Sequence, residues 1–251
     1  MTPMIRLEGV AKRFDRGTQP VLRDVCLEVV AGEAVHVRGA NGAGKTTLLR
    51  LLAGVIRPSA GVVDRRTRAV GWAPADPIGG RALTAQTLLA AAERLHGGAP
   101  GTADDLIERL GLRGHTERRL GTLSAGNRHK VNLAFALASP DPGLLVLDEP
   151  WATLDGPAGA ALTSVLEDRC RAGSAVVFTD HTRAALHPEG AVPVEIRNGA
   201  LWPVEVEVPG LRVSIVRRAE RDVVDVPPAH LAQTVARLLD EGWSIVGVER
   251  V

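Results

Sequence analysis

Aromatic side chains, cysteines and long apolar runs are all scarce in this sequence of 251 residues. Phe, Trp and Tyr make up 3% of the chain although 45% of the residues are hydrophobic, so a core must consist mainly of Val, Leu, Ile and Ala. The two cysteines, Cys26 and Cys170, lie far apart without Cys-x-x-Cys spacing, which argues against a disulfide framework and a thiolate metal site. No apolar run reaches about 18 residues, so the sequence predicts no membrane-spanning helix.

Net charge is also low. The formal charge of +1 argues against a nucleic-acid-binding protein that relies on a broad basic surface. The segment Met1–Arg6 lacks the charged and apolar regions of a secretory signal peptide. We therefore expect a cytoplasmic protein, which would be peripheral on the cytoplasmic face if it acts at a membrane, with any membrane span supplied by another subunit.

The hydrophobic pattern predicts an α/β fold, and the length suits one large α/β domain with or without a small appendage. Strands are predicted for 5–10, 21–30, 35–38, 62–72, 144–147 and 175–179, and a hairpin that turns at Asn198-Gly199 for 192–202. Helices are predicted for 46–52, 124–138 and 158–172. Apolar residues also recur at helical spacing from residue 84 to about 123. We therefore expect a helical subdomain, about 84–140, inserted into the sheet.

The last part of the chain shows a different pattern. Residues 204–208 and 211–216 alternate as strands do, residues 228–240 carry apolar side chains at helical spacing, and residues 243–251 alternate again. This order predicts a small strand–strand–helix–strand appendage over 204–251, after a main domain over 1–203. The appendage sequence holds no evident cluster of chemically active side chains.

One glycine-rich segment predicts the ligand. It lies between the strand at 35–38 and the helix at 46–52, matches G-x-x-x-x-G-K-[ST], and reads Gly39-Ala40-Asn41-Gly42-Ala43-Gly44-Lys45-Thr46-Thr47. Its glycines let backbone N–H groups approach phosphate oxygens, Lys45 supplies a charge for the β and γ phosphates, and the Thr46 hydroxyl can bind Mg²⁺. The strand–loop–helix context favours this interpretation over a glycine-rich turn with a chance Lys-Thr.

Two carboxylates, Asp148 and Glu149, follow the buried strand at 144–147. Because ligands of doubly wound sheets bind beyond the carboxyl ends of the strands, this pair should point toward the nucleotide. Asp148 can hold Mg²⁺ directly or through water, and Glu149 can polarise the water that attacks the γ-phosphate. The alternative is an ordinary acidic turn after a strand, which the upstream phosphate loop disfavours.

The segment Leu123–Asn127 opens the helix at 124–138. Ser124 can cap that helix and Gly126 permits close backbone approach, so the segment could bind an anion, although a capped helix start alone also explains it. His181 taken alone fits a structural role, and Asp155 fits a helix cap. Phe14 taken alone fits a core position.

In their order along the chain, these segments resemble the ATP-binding-cassette (ABC) ATPase family. The similar segments are Walker A at 39–47, the LSGGQ signature at 123–127, Walker B at 144–149, the D-loop at 151–155 and the switch-histidine strand at 178–181. The resemblance covers about residues 5–203. It implies a P-loop NTPase core of the ABC type, with ATP and Mg²⁺ as its ligands.

The resemblance also implies a head-to-tail dimer on ATP binding, formed by two copies of this chain or by one copy and another ABC ATPase. Each ATP would lie between the Walker motifs of one protomer and the signature of the other, so that Ser124 and Gly126 touch a γ-phosphate in trans. Asp155 would bridge the protomers. His181 would contact the γ-phosphate and keep Glu149 aligned with the attacking water.

Two positions in the amino-terminal half correspond to family residues that hold or sense the nucleotide. Phe14 stands where the family usually has an aromatic residue that stacks on adenine. Ala75 stands where the family's Q-loop has glutamine, and alanine can neither bind Mg²⁺ nor sense the attacking water. The neighbouring Asp76 is a candidate substitute for that glutamine.

The signature departs from the family pattern at Ala125 and Asn127, which are small or polar like the residues they replace. Lys45 and Glu149 are retained, so the resemblance implies that ATP hydrolysis survives. The first hypothesis is thus that this chain is the ATPase subunit of an ABC transporter and energises a separate membrane permease. Its short cassette and its tail are similar to those of exporter systems. The alternatives are a soluble ABC ATPase in assembly and a nucleotide-gated regulator, the latter motivated by Ala75.

Overall fold

The computed structural model describes residues 3–15, 19–67, 69–76, 80–96, 102–138, 143–181, 186–204, 211–217, 220–226, 234–235, 238–239 and 243–250. The chain forms two compact units, Met1–Val204 and Glu205–Val251. Within the described ranges, no helix combines the length and the apolar character needed to cross a bilayer.

A six-stranded sheet lies at the centre of the first unit, in the order β5-β6-β7-β3-β8-β9. Its strands are β3 (Ala34–Arg38), β5 (Val70–Ala73), β6 (Leu144–Asp148), β7 (Ala175–Thr179), β8 (Val192–Arg197) and β9 (Ala200–Pro203). All neighbouring pairs are parallel except the β8–β9 hairpin. That hairpin turns at Asn198 and Gly199, both at positive φ, which confirms the predicted turn.

Both faces of this sheet are covered, because successive side chains of a strand point to opposite sides. On β6, Leu144 and Val146 pack into one core, and Leu145 and Leu147 pack into the other. All five residues of β6 are buried, as the continuous apolar run predicted. The carboxyl ends of the parallel strands lie together at one edge of this sheet.

A second, antiparallel sheet has the order β2-β1-β4, formed by β1 (Pro3–Lys12), β2 (Leu22–Val30) and β4 (Ala60–Arg65). The prediction of one strand over 62–72 was wrong, because β4 and β5 belong to different sheets. Thr67 marks the change of direction, where its hydroxyl accepts from the amide N–H of Ala69 at 3.2 Å. A side-chain turn of this kind carries no Gly or Pro signal, so the alternating pattern appears unbroken in the sequence.

Five α-helices are described in the first unit: α1 (Lys45–Ala53), α2 (Ala85–His96), α3 (Thr102–Arg109), α4 (Ala125–Leu137) and α5 (Gly156–Arg171). Helix α1 buries Leu48, Leu49, Leu51 and Leu52 in the core shared with β1 and β2. Helices α2 to α5 contribute to the other core. The helical pattern after residue 84 is confirmed, with α4 beginning after Ser124 as expected.

The second unit contains an antiparallel sheet of order β11-β10-β12, formed by β10 (Leu211–Arg217), β11 (Glu220–Val226) and β12 (Ser244–Arg250). The predicted strands at 211–216 and 243–251 are confirmed, whereas β11 was missed because its charged residues mask the alternation. The predicted strand at 204–208 lies outside the described residues except for Val204, which is not in a strand. Of the predicted helix at 228–240, only 234–235 and 238–239 are described, and both pairs are helical.

Candidate functional site

The glycine-rich segment connects the end of β3 to the start of α1. Gly44 precedes α1 in a left-handed conformation (φ 107°), and no described side chain caps this helix start. The first amide N–H groups of α1 can therefore meet an anion, and the helix dipole favours negative charge there. Gly39 is also at positive φ (146°), and a Cβ at this position would press against the carbonyl oxygen of Ile196. The backbone path of the loop requires both glycines.

Lys45, the first residue of α1, folds back over this loop. Its Nζ donates hydrogen bonds to the carbonyl oxygens of Gly39 at 2.8 Å and Ala40 at 3.0 Å. Burial lowers the pKa of the ammonium, while the nearby Glu149 and Asp148 act to raise it. The loop thus holds the ammonium group of Lys45 in the same cleft as two carboxylates.

Asp148 is buried and is fixed from both sides. The hydroxyl of Thr46 donates to its Oδ2 at 2.9 Å, and the hydroxyl of Thr179 donates to its Oδ1 at 2.6 Å. The parallel register of β6 and β7 places Asp148 directly beside Thr179, so the second contact follows from strand pairing. The hydroxyl of Thr46 and the carboxylate of Asp148 are hard oxygen ligands, which fit the chemistry that Mg²⁺ requires.

Glu149 lies at the turn after β6 with a left-handed backbone (φ 51°). This conformation is uncommon for a residue with a side chain, and it is held because the amide N–H of Glu149 donates to the hydroxyl of Thr179 at 2.9 Å. The carboxylate turns toward solvent with 39% of its side chain exposed. Nε2 of His181 lies 3.4 Å from its Oε1, so the two predicted catalytic side chains adjoin.

These groups line an open cleft of about 380 Å³ at the carboxyl edge of the sheet. Its lining consists of Val21, Asn41, Gly42, Gly44, Lys45, Thr46, Thr47, Asp148, Glu149 and His181. The structure therefore brings together the predicted catalytic and metal-binding residues and half of the predicted nucleotide-binding residues. Gly39 and Ala43 belong to the loop without lining the cleft, and Val21 is an addition that the sequence did not suggest.

Phe14 lies in a separate cleft, also of about 380 Å³, with Arg13, Pro20 and other residues. Its ring is exposed (57%), and Nζ of Lys12 stands 5.2 Å from the ring centroid. Ala75 follows β5 at an exposed position and does not line the cleft of the phosphate loop, and the same holds for Asp76. In the described part of the chain, the Q-loop position therefore contributes no contact to that cleft.

The predicted residues of the signature and D-loop lie outside the phosphate-loop cleft of their own chain. The exposed Ser124 caps α4, where its Oγ accepts from the amide N–H of Asn127 at 3.2 Å. Asp155 caps α5 through the amide N–H of Ala158 at 2.9 Å. The carboxylate of Asp155 also accepts from Nζ of Lys130 on α4 at 2.8 Å, and this contact lowers the pKa of Asp155.

Sequence reasoning missed two residues that shape these segments. Thr179 binds Asp148 and Glu149 at once, and the available signal was a hydroxyl at the end of an otherwise apolar buried strand. Lys130, which is buried and joins the signature helix to Asp155, carried no local signal because its partner lies 25 residues away.

The fold and the loop together define a class, the P-loop nucleoside triphosphatases. A strand of the parallel sheet, β3, leads through a glycine-rich loop into a helix start, and a buried Asp and a half-exposed Glu stand at the end of β6, two strands away in the same sheet. In this class the same arrangement holds the phosphates, the metal ion and the attacking water.

Comparisons with known proteins specify the family. The sequence profile described as "ABC transporter" matches residues 22–152, just over half of the chain. The cytochrome c biogenesis ATP-binding export protein CcmA of Pseudomonas syringae pv. tomato is 35% identical over 207 residues, which cover 77% of this chain and 96% of CcmA. The hemin import ATP-binding protein HmuV of Bradyrhizobium diazoefficiens is 35% identical over 202 residues, which cover 72% of this chain and 75% of HmuV.

A solved dimeric ATP-binding cassette in a post-hydrolysis state, bound to ADP and Pi, has a TM-score of 0.70 with this chain at 21% identity. The match covers 81% of this chain and all of that one, and it confirms the fold. The chain belongs to the ABC transporter family, as an ATP-binding ATPase cassette. The relatives include both export and import proteins, so family membership leaves the direction of transport open.

Proposed function

We propose that this chain is the ATP-hydrolysing subunit of an ABC exporter and that it energises a separately encoded permease from the cytoplasmic face of the membrane. The observation that carries the hydrolytic part is the hydroxyl of Thr179, which ties the carboxylate of Asp148 to the backbone of Glu149. The similarity to the export protein CcmA over nearly its whole length supports the direction. The cassette spans residues 1–203, and residues 204–251 form an appendage.

The cleft residues divide the chemistry among them. The loop amides and Lys45 bind the β and γ phosphates and offset their charge. Glu149 accepts the proton of the attacking water, and His181 holds that water and the γ-phosphate in line. Thr46 and Asp148 would hold Mg²⁺, which neutralises charge on the phosphates when it is bound. The half-exposed Glu149 suits this role, because it can reach solvent water from a fixed backbone.

Ser124, Gly126 and Asp155 act in trans, in a dimer of two copies or of one copy with another ABC ATPase. The exposed hydroxyl of Ser124 at the start of α4 supports this role, because a helix start can bind the γ-phosphate of a nucleotide held by the other protomer. Asp155 then bridges the two protomers. Phe14 stacks on adenine, for which its exposed ring is suited.

The variant Glu149→Gln tests the hydrolytic role, since it keeps the shape of the side chain and removes the base. We expect ATP turnover to fall by at least about 100-fold while ATP binding persists and an ATP-bound dimer accumulates in size-exclusion chromatography. The matched control is Glu189→Gln, which changes an exposed glutamate at the opposite end of the sheet. Equal turnover in Glu149→Gln and the wild type would show that Glu149 is not the base.

A second candidate function, an ABC ATPase in assembly or regulation without transport, is favoured by Ala75, which removes the usual sensor of the nucleotide. Purification of the tagged chain from detergent-solubilised membranes separates the two functions. Recovery of a polytopic membrane partner supports transport, and recovery of a purely soluble complex contradicts it. The variant Ala75→Gln should raise turnover or its coupling to the permease if this position still faces the nucleotide.

A further inference from the structure

A cluster of four rings, two of them fully buried, lies next to the end of β7 that leads to His181. It comprises His36 on β3, Trp151, Phe178 on β7 and His187. His36 stacks on Phe178 with ring centroids 5.0 Å apart, as their strand register requires, and His187 contacts His36 at 4.4 Å. Two partly buried histidines thus lie against two fully buried rings, and the proposed hydrolysis mechanism uses neither histidine.

Both histidines bind Asp180, the residue between Thr179 and His181. Nε2 of His187 donates to the carboxylate Oδ2 of Asp180 at 2.9 Å, and 3% of this aspartate side chain is exposed. Nε2 of His36 lies 3.2 Å from the backbone carbonyl oxygen of Asp180. A carbonyl oxygen only accepts, so Nε2 of His36 carries the proton. Asp180 is therefore held through its side chain and its backbone at once.

The two histidines belong to different segments of the chain. His36 is part of β3, the strand that feeds the phosphate loop. His187 follows Leu186, whose carbonyl oxygen accepts from the hydroxyl of Thr163 on α5 at 2.5 Å. Burial lowers the pKa of His36 to about 4, so this ring is neutral near pH 7 and acts as a fixed hydrogen-bond donor.

His181 itself has few means to fix its own position, because 37% of its side chain is exposed. Its neighbours on the amino-terminal side are firmly held, Thr179 by the cleft network and Asp180 by the two histidines. A displacement of Asp180 would shift the backbone of His181 and change the 3.4 Å contact with Glu149. Misplacement of a catalytic group by about 1 Å can cost about 100-fold in rate.

We propose that His187 is a positioning residue, which clamps Asp180 together with His36 and thereby aligns His181 with Glu149 for hydrolysis. This inference rests on the proposed role of His181. The contacts of His187 and His36 with Asp180 should affect the rate of hydrolysis rather than ATP binding, because the ring cluster does not line the phosphate-loop cleft.

Two substitutions separate the hydrogen bond from ring packing. His187→Gln keeps a side-chain N–H donor and loses the ring, whereas His187→Phe keeps the ring and loses the donor. We expect His187→Phe to lower kcat by about 10- to 100-fold with KM for ATP within about twofold of the wild type, and His187→Gln to retain most of kcat. The reverse order would overturn the proposal in favour of simple packing. His115→Phe, in the helical region away from the cleft, is the matched control and should keep the wild-type kcat.

A double-mutant cycle tests the route of the effect. If His187 acts through His181, His187→Phe should cause less than about a twofold further loss of kcat in a His181→Ala background. Equal fold losses in both backgrounds would overturn the inference. If His181→Ala keeps the wild-type kcat, the proposed role of His181 is wrong and the inference falls with it. If His181→Ala loses kcat and His187→Phe does not, only the inference is overturned.

A folding control completes the test, because His187→Phe leaves a buried carboxylate without this donor. Circular dichroism and ATP binding report whether the variant folds. Should it fail to fold, the double variant His187→Phe/Asp180→Asn, which also removes the carboxylate charge, takes the place of His187→Phe in the same cycle. We expect the same loss of kcat and the same insensitivity in the His181→Ala background.

Discussion

The hydroxyl of Thr179 contacts both acidic residues of the cleft, the carboxylate of Asp148 and the backbone of Glu149. The variant Thr179→Val removes this hydroxyl with almost no change in volume. The hydroxyl is fully buried, donates to Asp148 at 2.6 Å and accepts from the amide N–H of Glu149 at 2.9 Å. A hydrogen bond to a charged group contributes about 1.5–3 kcal/mol, and a buried N–H left unpaired costs about 1–3 kcal/mol. We expect the free energy of unfolding to fall by about 2–5 kcal/mol, since some relaxation offsets the sum.

The same substitution should lower kcat, because it frees the carboxylate of Asp148 on one side and the strained backbone of Glu149. A loss of about 100-fold corresponds to a displacement of about 1 Å. Urea unfolding followed by tryptophan fluorescence measures the stability, and phosphate release measures kcat. Thr179→Ser is the matched control, since it keeps the hydroxyl and loses one methyl group, at a cost of about 1 kcal/mol. If Thr179→Val were as stable and as active as the wild type, the network would have no energetic role.

Three other predictions test the packing of Gly71, the proposed metal ligand Thr46 and the partly buried His36. Gly71→Ala would place a Cβ against the carbonyl oxygen of Ala136 on α4, so urea unfolding should show a loss of about 1–3 kcal/mol. Thr46→Ala should raise the Mg²⁺ concentration for half-maximal turnover by about tenfold, whereas Thr46→Ser, which keeps the hydroxyl, should not. The pKa of His36 is lowered to about 4 from 6.5, mainly by burial, so the unfolded chain binds more protons between these pH values. Stability should therefore fall by about 1–3 kcal/mol as the pH drops from 6.5 to 4, and this component should be absent in His36→Gln.

Local signals made several elements predictable from the sequence. The turn at Asn198-Gly199 needs positive φ at two successive residues, and Asn-Gly is a dipeptide that readily adopts that conformation. The phosphate loop combines a glycine requirement with an adjacent Lys-Thr. The continuous apolar run at 144–147 predicted a strand buried on both faces, and β6 covers that run and extends one residue further, to Asp148. In each case the residues that set the structure are neighbours in sequence.

The remaining features could not be predicted, because they depend on contacts between residues that are distant in sequence. The break between β4 and β5 depends on which sheet edge each strand joins, and the turn at Thr67 leaves no Gly or Pro mark. Thr179 meets Asp148 only because β6 and β7 pair in one particular register. The bond between His187 and Asp180 needs both the end of β7 and the segment after it. A single sequence does not specify which polar residues meet across such distances.

The two halves of the proposed composite site differ in how their polar groups are satisfied. In the hydrolytic half, Asp148 and Thr179 are buried and bonded to each other, so that half is complete within one chain. In the signature half, Ser124 lies at an exposed helix start, where its Oγ accepts from the amide N–H of Asn127 and water can satisfy the other amides at little cost. Groups that stay hydrated in one chain can bind an anion brought by another surface without a prior rearrangement. This difference in burial supports the proposal that a second cassette completes the site.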